Sequence, residues 1–225
     1  MSEERKPVLR IVGGHPVLDL VNTVTPRRPG GTEHLPSPTA LLAWSRRVGL
    51  VDAGEAHGVS AAWRARSGSA GQALHATLDV RESVYEVLAA RLADPRPEPG
   101  ARPGGDPAAG AGAALEHLAL RWSAATTRST LVGSAERAAR VVVGTDPAFL
   151  VPDRLAFAAV ELLRTADLSQ LKECPVGEGG CGWLFLDQSR NGSRRWCAMA
   201  DCGVQAKTRK LTARRRADRA ATVRA

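Results

Sequence analysis

The sequence predicts a mainly α-helical protein with a small β component, ending in a compact C-terminal module held by a metal ion. Three observations carry this. The 225 residues are 44% hydrophobic but only 4% aromatic, and the apolar share leans on Ala, Leu and Val, which favours helices. Several stretches repeat apolar residues at three- and four-residue spacing, the period of a helix with one buried face. All four cysteines lie between Cys174 and Cys202, as two close pairs with fifteen residues between them. The length suits one ordinary domain, 1–171, followed by a small module, 172–225.

In chain order, Val8–Val12 reads as a short strand stopped by Gly13-Gly14. Apolar residues at Val17, Leu20, Val21 and Val24 then read as a helix, with Pro16 in its first turn, where a missing N–H costs nothing. Residues 26–36 read as a polar loop. Ser37-Pro38 is an N-cap followed by proline at the first helical position, opening a helix over 39–48 that Gly49 ends. A short helix is expected over 60–66. A long one is expected over 72–92, with Leu74, Leu78, Val84, Tyr85, Val87, Leu88 and Leu92 as its apolar stripe.

Residues 94–112 hold five prolines and five glycines and read as a disordered loop. Leu115–Trp122 is ambiguous between helix and strand. Residues 129–132 and 138–143 read as a β-hairpin around Gly133-Ser134, with β-branched residues in the second strand. A helix over 152–171, with Asp153 in its first turn and Leu155, Ala159, Leu162, Leu163 and Leu168 on its apolar face, delivers the chain to Cys174.

Cys174-x6-Cys181 and Cys197-x4-Cys202 each offer two thiolates from one turn, which is what a single tetrahedral site needs. Pro175, Gly177, Gly179 and Gly180 let the longer first spacing close. Zn²⁺ suits four thiolates in a closed structural site. The competing reading is two disulfides, but nothing in the sequence points to an oxidising compartment. Between the pairs, Asn191-Gly192 predicts a two-residue hairpin that pairs Asp187 with Trp196 and sets Arg194 diagonal to Asp187. A basic helix follows Cys202. Loop, hairpin and helix in this order resemble a treble-clef or ribbon-like zinc finger.

The order C…CGWLFLDQSRNGSRRWCAMADCG…K resembles the CGNR zinc finger. The Phe185-x-Asp187-x-Ser189-Arg190-Asn191 block, the Arg194-Arg195-Trp196-Cys197 run and Met199 are all in register with it. One departure stands out: Val204 and Gln205 occupy the places of the Asn and Arg that give the finger its name. Residues 11–50, with His15-Pro16-Val17-Leu18-Asp19-Leu20 and Trp44, are similar to the opening of the stress-response regulator (ABATE-like) domain that commonly precedes this finger. The resemblance implies a transcriptional regulator.

The net charge of +8 is placed unevenly. From Arg190 to Ala225 eleven Lys and Arg face two Asp, which is +9 and leaves about −1 for residues 1–189. A near-neutral body with a basic tail reads as a binder of an acidic polymer. Arg190, Arg194, Arg195, Lys207, Arg209 and Lys210 are the expected nucleic-acid contacts, with an internal salt bridge to Asp187 as the competing role of Arg194. DNA is the first expectation, with RNA as the alternative.

Gly13, Gly14, His15, Asp19 and Asn22 are the candidates for lining a small-molecule effector pocket. The alternative is that Asp19 and Asn22 bond backbone of the adjacent loop. The N-terminal domain would then sense a ligand, form a homodimer, or both. No phosphate loop with Lys and no Gly-x-Ser-x-Gly elbow occurs, and the five histidines (15, 34, 57, 75, 117) show no metal-ligand spacing. The expectation is therefore a non-enzyme, with a small-molecule enzyme carrying a structural finger as the other class. No apolar run long enough to span a membrane and no apolar N-terminal leader are visible, so a cytoplasmic location is expected.

Overall fold

The computed structural model describes residues 9–93, 107–136 and 138–224. They form two compact units, the described residues of 1–33 with those of 168–225, and the described residues of 34–167.

The first unit begins with α1 (Pro16–Val21), whose Val17, Leu18, Leu20 and Val21 are all buried. His15 caps it, Nδ1 accepting from Val17 N at 3.2 Å. The strand expected before it does not form over 9–12 (Val8 lies outside the described residues). Val12 N and Gly13 N donate instead to the Asp19 carboxylate, each at 2.8 Å, so they are spent on a side chain rather than a ladder. Within the expected loop 26–36, β2 (Thr32–Glu33) forms and pairs with β1 (Val24–Thr25), just ahead of the loop, as a two-residue ribbon. Gly31 makes it possible, since a Cβ there would stand 2.1 Å from Pro26 O.

The second unit is helical. In α2 (Pro38–Arg47) Ser37 Oγ accepts from Ala40 N at 3.2 Å, and Gly49 follows with φ +71°, so both ends fall as the sequence predicts. α3 (Ala53–Ala65) starts well before the expected residue 60, because Asp52 and Glu55 form a reciprocal capping box. α4 (Ser69–Leu92) buries Ala73, Ala76, Val80, Val84 and Leu88. The core face is thus partly shifted from the expected stripe towards small residues, which let α5 and α6 approach closely.

Residues 94–106 of the expected loop lie outside the described residues. The remainder, 107–112, is not loop but the start of α5 (Pro107–Thr127). Ala114, Leu118 and Ala125 of α5 are buried at helical spacing, which settles the ambiguity over 115–122. β3 (Ser129–Val132) and β4 (Arg140–Val143) form the expected hairpin, with Leu131 opposite Val141.

In α6 (Leu150–Thr165) Leu155, Ala159 and Leu162 are buried as expected, while Leu163 is only half-buried and Leu168 lies beyond the helix in a 3-10 turn. The buried Asp153 carboxylate is forked by Arg128, Nε at 2.8 Å and Nη2 at 2.5 Å. Burial pushes that carboxyl up and the Arg128 fork only partly offsets it. α6 ends at Thr165 rather than 171, because Leu171–Glu173 are drawn into a strand of the first unit. Among the described residues no helix is long and apolar enough to cross a membrane.

Candidate metal centre

The centre is built on a short antiparallel pair. β5 (Leu171–Glu173) lies against β6 (Leu184–Leu186) with Leu171 opposite Leu186 and Glu173 opposite Leu184. Beyond the strands the ladder continues: Cys174 N donates to Trp183 O at 2.9 Å and Gly182 N to Cys174 O at 3.1 Å. Between them, residues 175–181 turn through a 3-10 turn over Val176–Glu178. Gly180 passes so close to the first ligand that a Cβ would sit 2.7 Å from Cys174 Sγ. This is the knuckle that brings Cys174 and Cys181 together.

The second pair sits at a helix start. Cys197 precedes a π-turn over Met199–Gly203, which carries Cys202 and leads into α7 (Val204–Arg224). Cys202 thereby stands at the positive end of the helix, where a thiolate is favoured. The hairpin expected between the cysteine pairs does not form. β6 pairs with β5 instead, and Asn191-Gly192 is a turn, Gly192 φ +58°, within a loop ordered by Asp187. That buried carboxylate accepts from Lys172 Nζ (2.6 Å), Ser189 Oγ (2.5 Å), Ser189 N (3.0 Å) and Arg194 N (2.9 Å). Lys172 and then Ser189 hold it well below the usual carboxylate range.

The four Sγ atoms lie within 4.8 Å of one another. Cys181 Sγ is 3.4 Å from Cys197 Sγ, which is 3.7 Å from Cys202 Sγ. None of the cysteines is in a disulfide. A tetrahedron of thiolates at about 2.3 Å from Zn²⁺ has edges of about 3.8 Å, so the donor set and its spacing fit zinc.

Cys174, Cys197 and Cys202 are buried among Trp183 and Phe185, while Cys181 is half-buried. Hydrogen bonds from Cys181 and Cys197 pull the Cys174 thiol far down, and the same contacts with Cys174 push Cys181 and Cys197 up. Burial pushes Cys202 up. A divalent cation is what allows all four to ionise together.

A strap of N-terminal chain completes the site. Leu186 N donates to Gly13 O at 2.9 Å, Trp183 Nε1 to Val24 O at 2.9 Å, and Arg27 N to Cys181 O at 2.7 Å. Asn22 donates from Nδ2 to Leu184 O at 2.8 Å and accepts at Oδ1 from Leu184 N at 2.9 Å. Of the residues expected to line an effector pocket, Asp19 and Asn22 therefore bond backbone, His15 caps α1, and Gly14 (φ +81°) turns beside Leu186. The same strap makes Gly13 obligatory, since a Cβ there would stand 2.8 Å from Leu18 Cβ. A cleft lies elsewhere, in the helical unit, with a volume of about 90 Å³ and Arg121, Arg128, Phe149 and Asp153 in its lining.

The expected nucleic-acid contacts divide into two groups. Arg194 turns inward: Nη2 donates to Val12 O (2.9 Å) and Cys197 O (2.5 Å), Nε to Trp196 O (3.2 Å), and the guanidinium lies 4.3 Å over the Phe185 ring. Its Nε and Nη2 are committed to backbone carbonyls, and Lys172 is the cation that pairs with Asp187 in its place. Arg190, Arg195, Lys207, Arg209 and Lys210 are exposed. Arg195 pairs with Glu178 and lies over Trp196, and Arg209 passes over Gly179. Lys172 carries no local sequence signal, and Trp183 is marked only by its place next to Cys181-Gly182.

Comparison with known families gives two matches in chain order. Residues 14–166 match the family described as "Putative stress-induced transcription regulator" (ABATE) and residues 170–215 match the CGNR zinc finger. No curated protein matches the chain at a significant level.

Proposed function

We propose that this chain, which belongs to the ABATE family and carries a CGNR zinc finger behind that domain, is a regulator that binds duplex DNA through the exposed face of α7 and the loops beside the metal centre. The observation that carries this reading is the exposure of the cations on α7. Over residues 204–216 no side chain of the helix is buried, and Lys207, Arg209, Lys210, Arg214, Arg215 and Arg216 all stand in solvent. With no buried side chain over 204–216, this stretch of α7 gains little from packing on its own protein, and its exposed cations suit a polyanion.

Zinc anchors the helix start through Cys202, and the Asp187 hub fixes the loop that carries Arg190 and Arg195 beside it. An effector of the helical unit would bind in the cleft at Arg121 and Arg128. With the four thiols spent on the metal, no cysteine is left to act as a nucleophile.

The test is a titration of the zinc-loaded full chain against a genomic duplex selected by pull-down, an unrelated duplex and a matched RNA. Tighter binding of the selected duplex supports the reading. Equal affinity for all three leaves nonspecific charge only, and preference for RNA replaces DNA as the partner.

A further inference from the structure

β3 and β4 form a two-stranded ribbon that joins no other strand among the described residues. Thr130 and Val142 oppose each other on one face, Leu131 and Val141 on the other. The second pair is open to solvent, Leu131 at 70% and Val141 at 49% exposure. Along the outer edge of β3 no backbone group bonds to a described residue. That edge, Ser129-Thr130-Leu131-Val132, has no charge, no proline and no bulge, so it lacks the devices that keep edge strands from pairing.

We propose that β3 pairs with β3 of a second copy of this chain across a two-fold axis, giving a four-stranded antiparallel sheet in the order β4–β3–β3–β4. A two-fold perpendicular to the sheet keeps each face on its own side, so paired residues must share a face. Centring the axis on Leu131 satisfies this: Leu131 meets Leu131 of the second copy, and Thr130 meets Val132. Val141, Leu131, Leu131 and Val141 then form one apolar row across the new sheet.

Charge selects β3 over β4 for this contact. Self-pairing through β4 would bring two copies of the exposed Arg140 towards each other, whereas β3 brings no charge to the seam. The contact is self-complementary and closes at two copies. Four residues per strand bury far less than the roughly 1,600 Å² of a standard interface, so the dimer is a weak one, in the micromolar range or above. The inference stands apart from the nucleic-acid reading.

Sedimentation of the zinc-loaded full chain over a concentration series tests it. The wild type should show a reversible monomer–dimer equilibrium. Leu131→Lys sets two ammonium groups opposite each other and should weaken the dimer by at least about tenfold, while Leu120→Lys, at another exposed leucine on α5, should leave it unchanged. A wild type that is monomeric throughout, or a Leu131→Lys variant that dimerises as before, overturns the proposal. Register is read separately by cross-linking: opposed Cα atoms at about 4.5–5.5 Å lie within disulfide range. Leu131→Cys should therefore give a covalent dimer with glutathione disulfide and Thr130→Cys should not, against the wild type as control. Equal cross-linking by the two variants overturns the pairing.

Discussion

The side-chain amide of Asn22 clasps the backbone of Leu184, donating to its carbonyl and accepting from its N–H, across 162 residues of sequence. An amide in this position stands in for a neighbouring strand on β6. Asn22→Ala leaves a buried N–H and a buried C=O without partners, at about 1–3 kcal/mol each. The expected loss is about 2–4 kcal/mol from the unit that holds the metal. Thermal unfolding followed by tryptophan fluorescence measures it, since Trp183 and Trp196 both pack at that centre. A variant that melts like the wild type shows that the clasp is not needed.

The same clasp shows what the sequence could and could not reveal. Local signals were legible where one short stretch settles the outcome: Ser37-Pro38 opening α2, Gly49 closing it, the β3–β4 hairpin, and the two cysteine pairs. The Asp52-x-x-Glu55 box was also present, and reading it would have started α3 correctly. Long-range competition was not legible. Asn191-Gly192 is a strong hairpin signal, yet β6 pairs with β5, because the knuckle needs Leu171–Glu173 beside it. Asn22 bonds backbone, which is one of the two roles its sequence context allows, but its partner is Leu184, 162 residues away, and not the adjacent loop. Arg194 is internal, as its competing role required, but it bonds Val12 O, 182 residues away, while Lys172 takes the pairing with Asp187.

Metal removal should divide the molecule. Zinc binding supplies folding free energy to a module too small to bury a core of its own. Chelation under reducing conditions, or Cys197→Ser, is expected to unfold the metal-bearing unit while α2 to α6 persist. Circular dichroism should lose the α7 signal and keep most of the remaining helix signal. Metal analysis of protein purified without chelators should return one zinc per chain, and a value near zero refutes the site.

Glu55 provides a pH test within the helical unit. The hydrogen bond from Arg154 leads in pulling its carboxyl below the ordinary 4.5, against partial desolvation. A depressed acid adds stability above its unfolded value and loses it as pH falls through the folded one. Glu55→Gln keeps a side chain able to cap α3 but removes the charge pair. The wild type should therefore be the more stable at pH 7, with the gap closing below about pH 4.5. An equal gap at pH 3 would show that the pair is not the cause. The contribution is expected to be small, because both partners are partly exposed.

Arg194 and Lys207 separate the roles of two cations that look alike in sequence. Lys207 is exposed on α7; Arg194 spends its guanidinium on three carbonyls and the Phe185 ring. If α7 lies along DNA phosphates, Lys207→Ala should weaken every duplex about equally, leave the melting temperature alone, and shallow the slope of log K against log salt by about one unit. Arg194→Ala should do the reverse at the level of the fold, lowering the melting temperature of the metal-bearing unit by exposing unpaired carbonyls of Val12, Trp196 and Cys197. In conditions where Arg194→Ala stays folded and zinc-loaded, its salt slope should match the wild type. Arg194→Lys should rescue little, because one ammonium cannot reproduce both the stacked plane and the fork. A salt slope shallowed equally by both alanine variants would place Arg194 at the phosphates after all, and no change from Lys207→Ala would remove α7 from the interface.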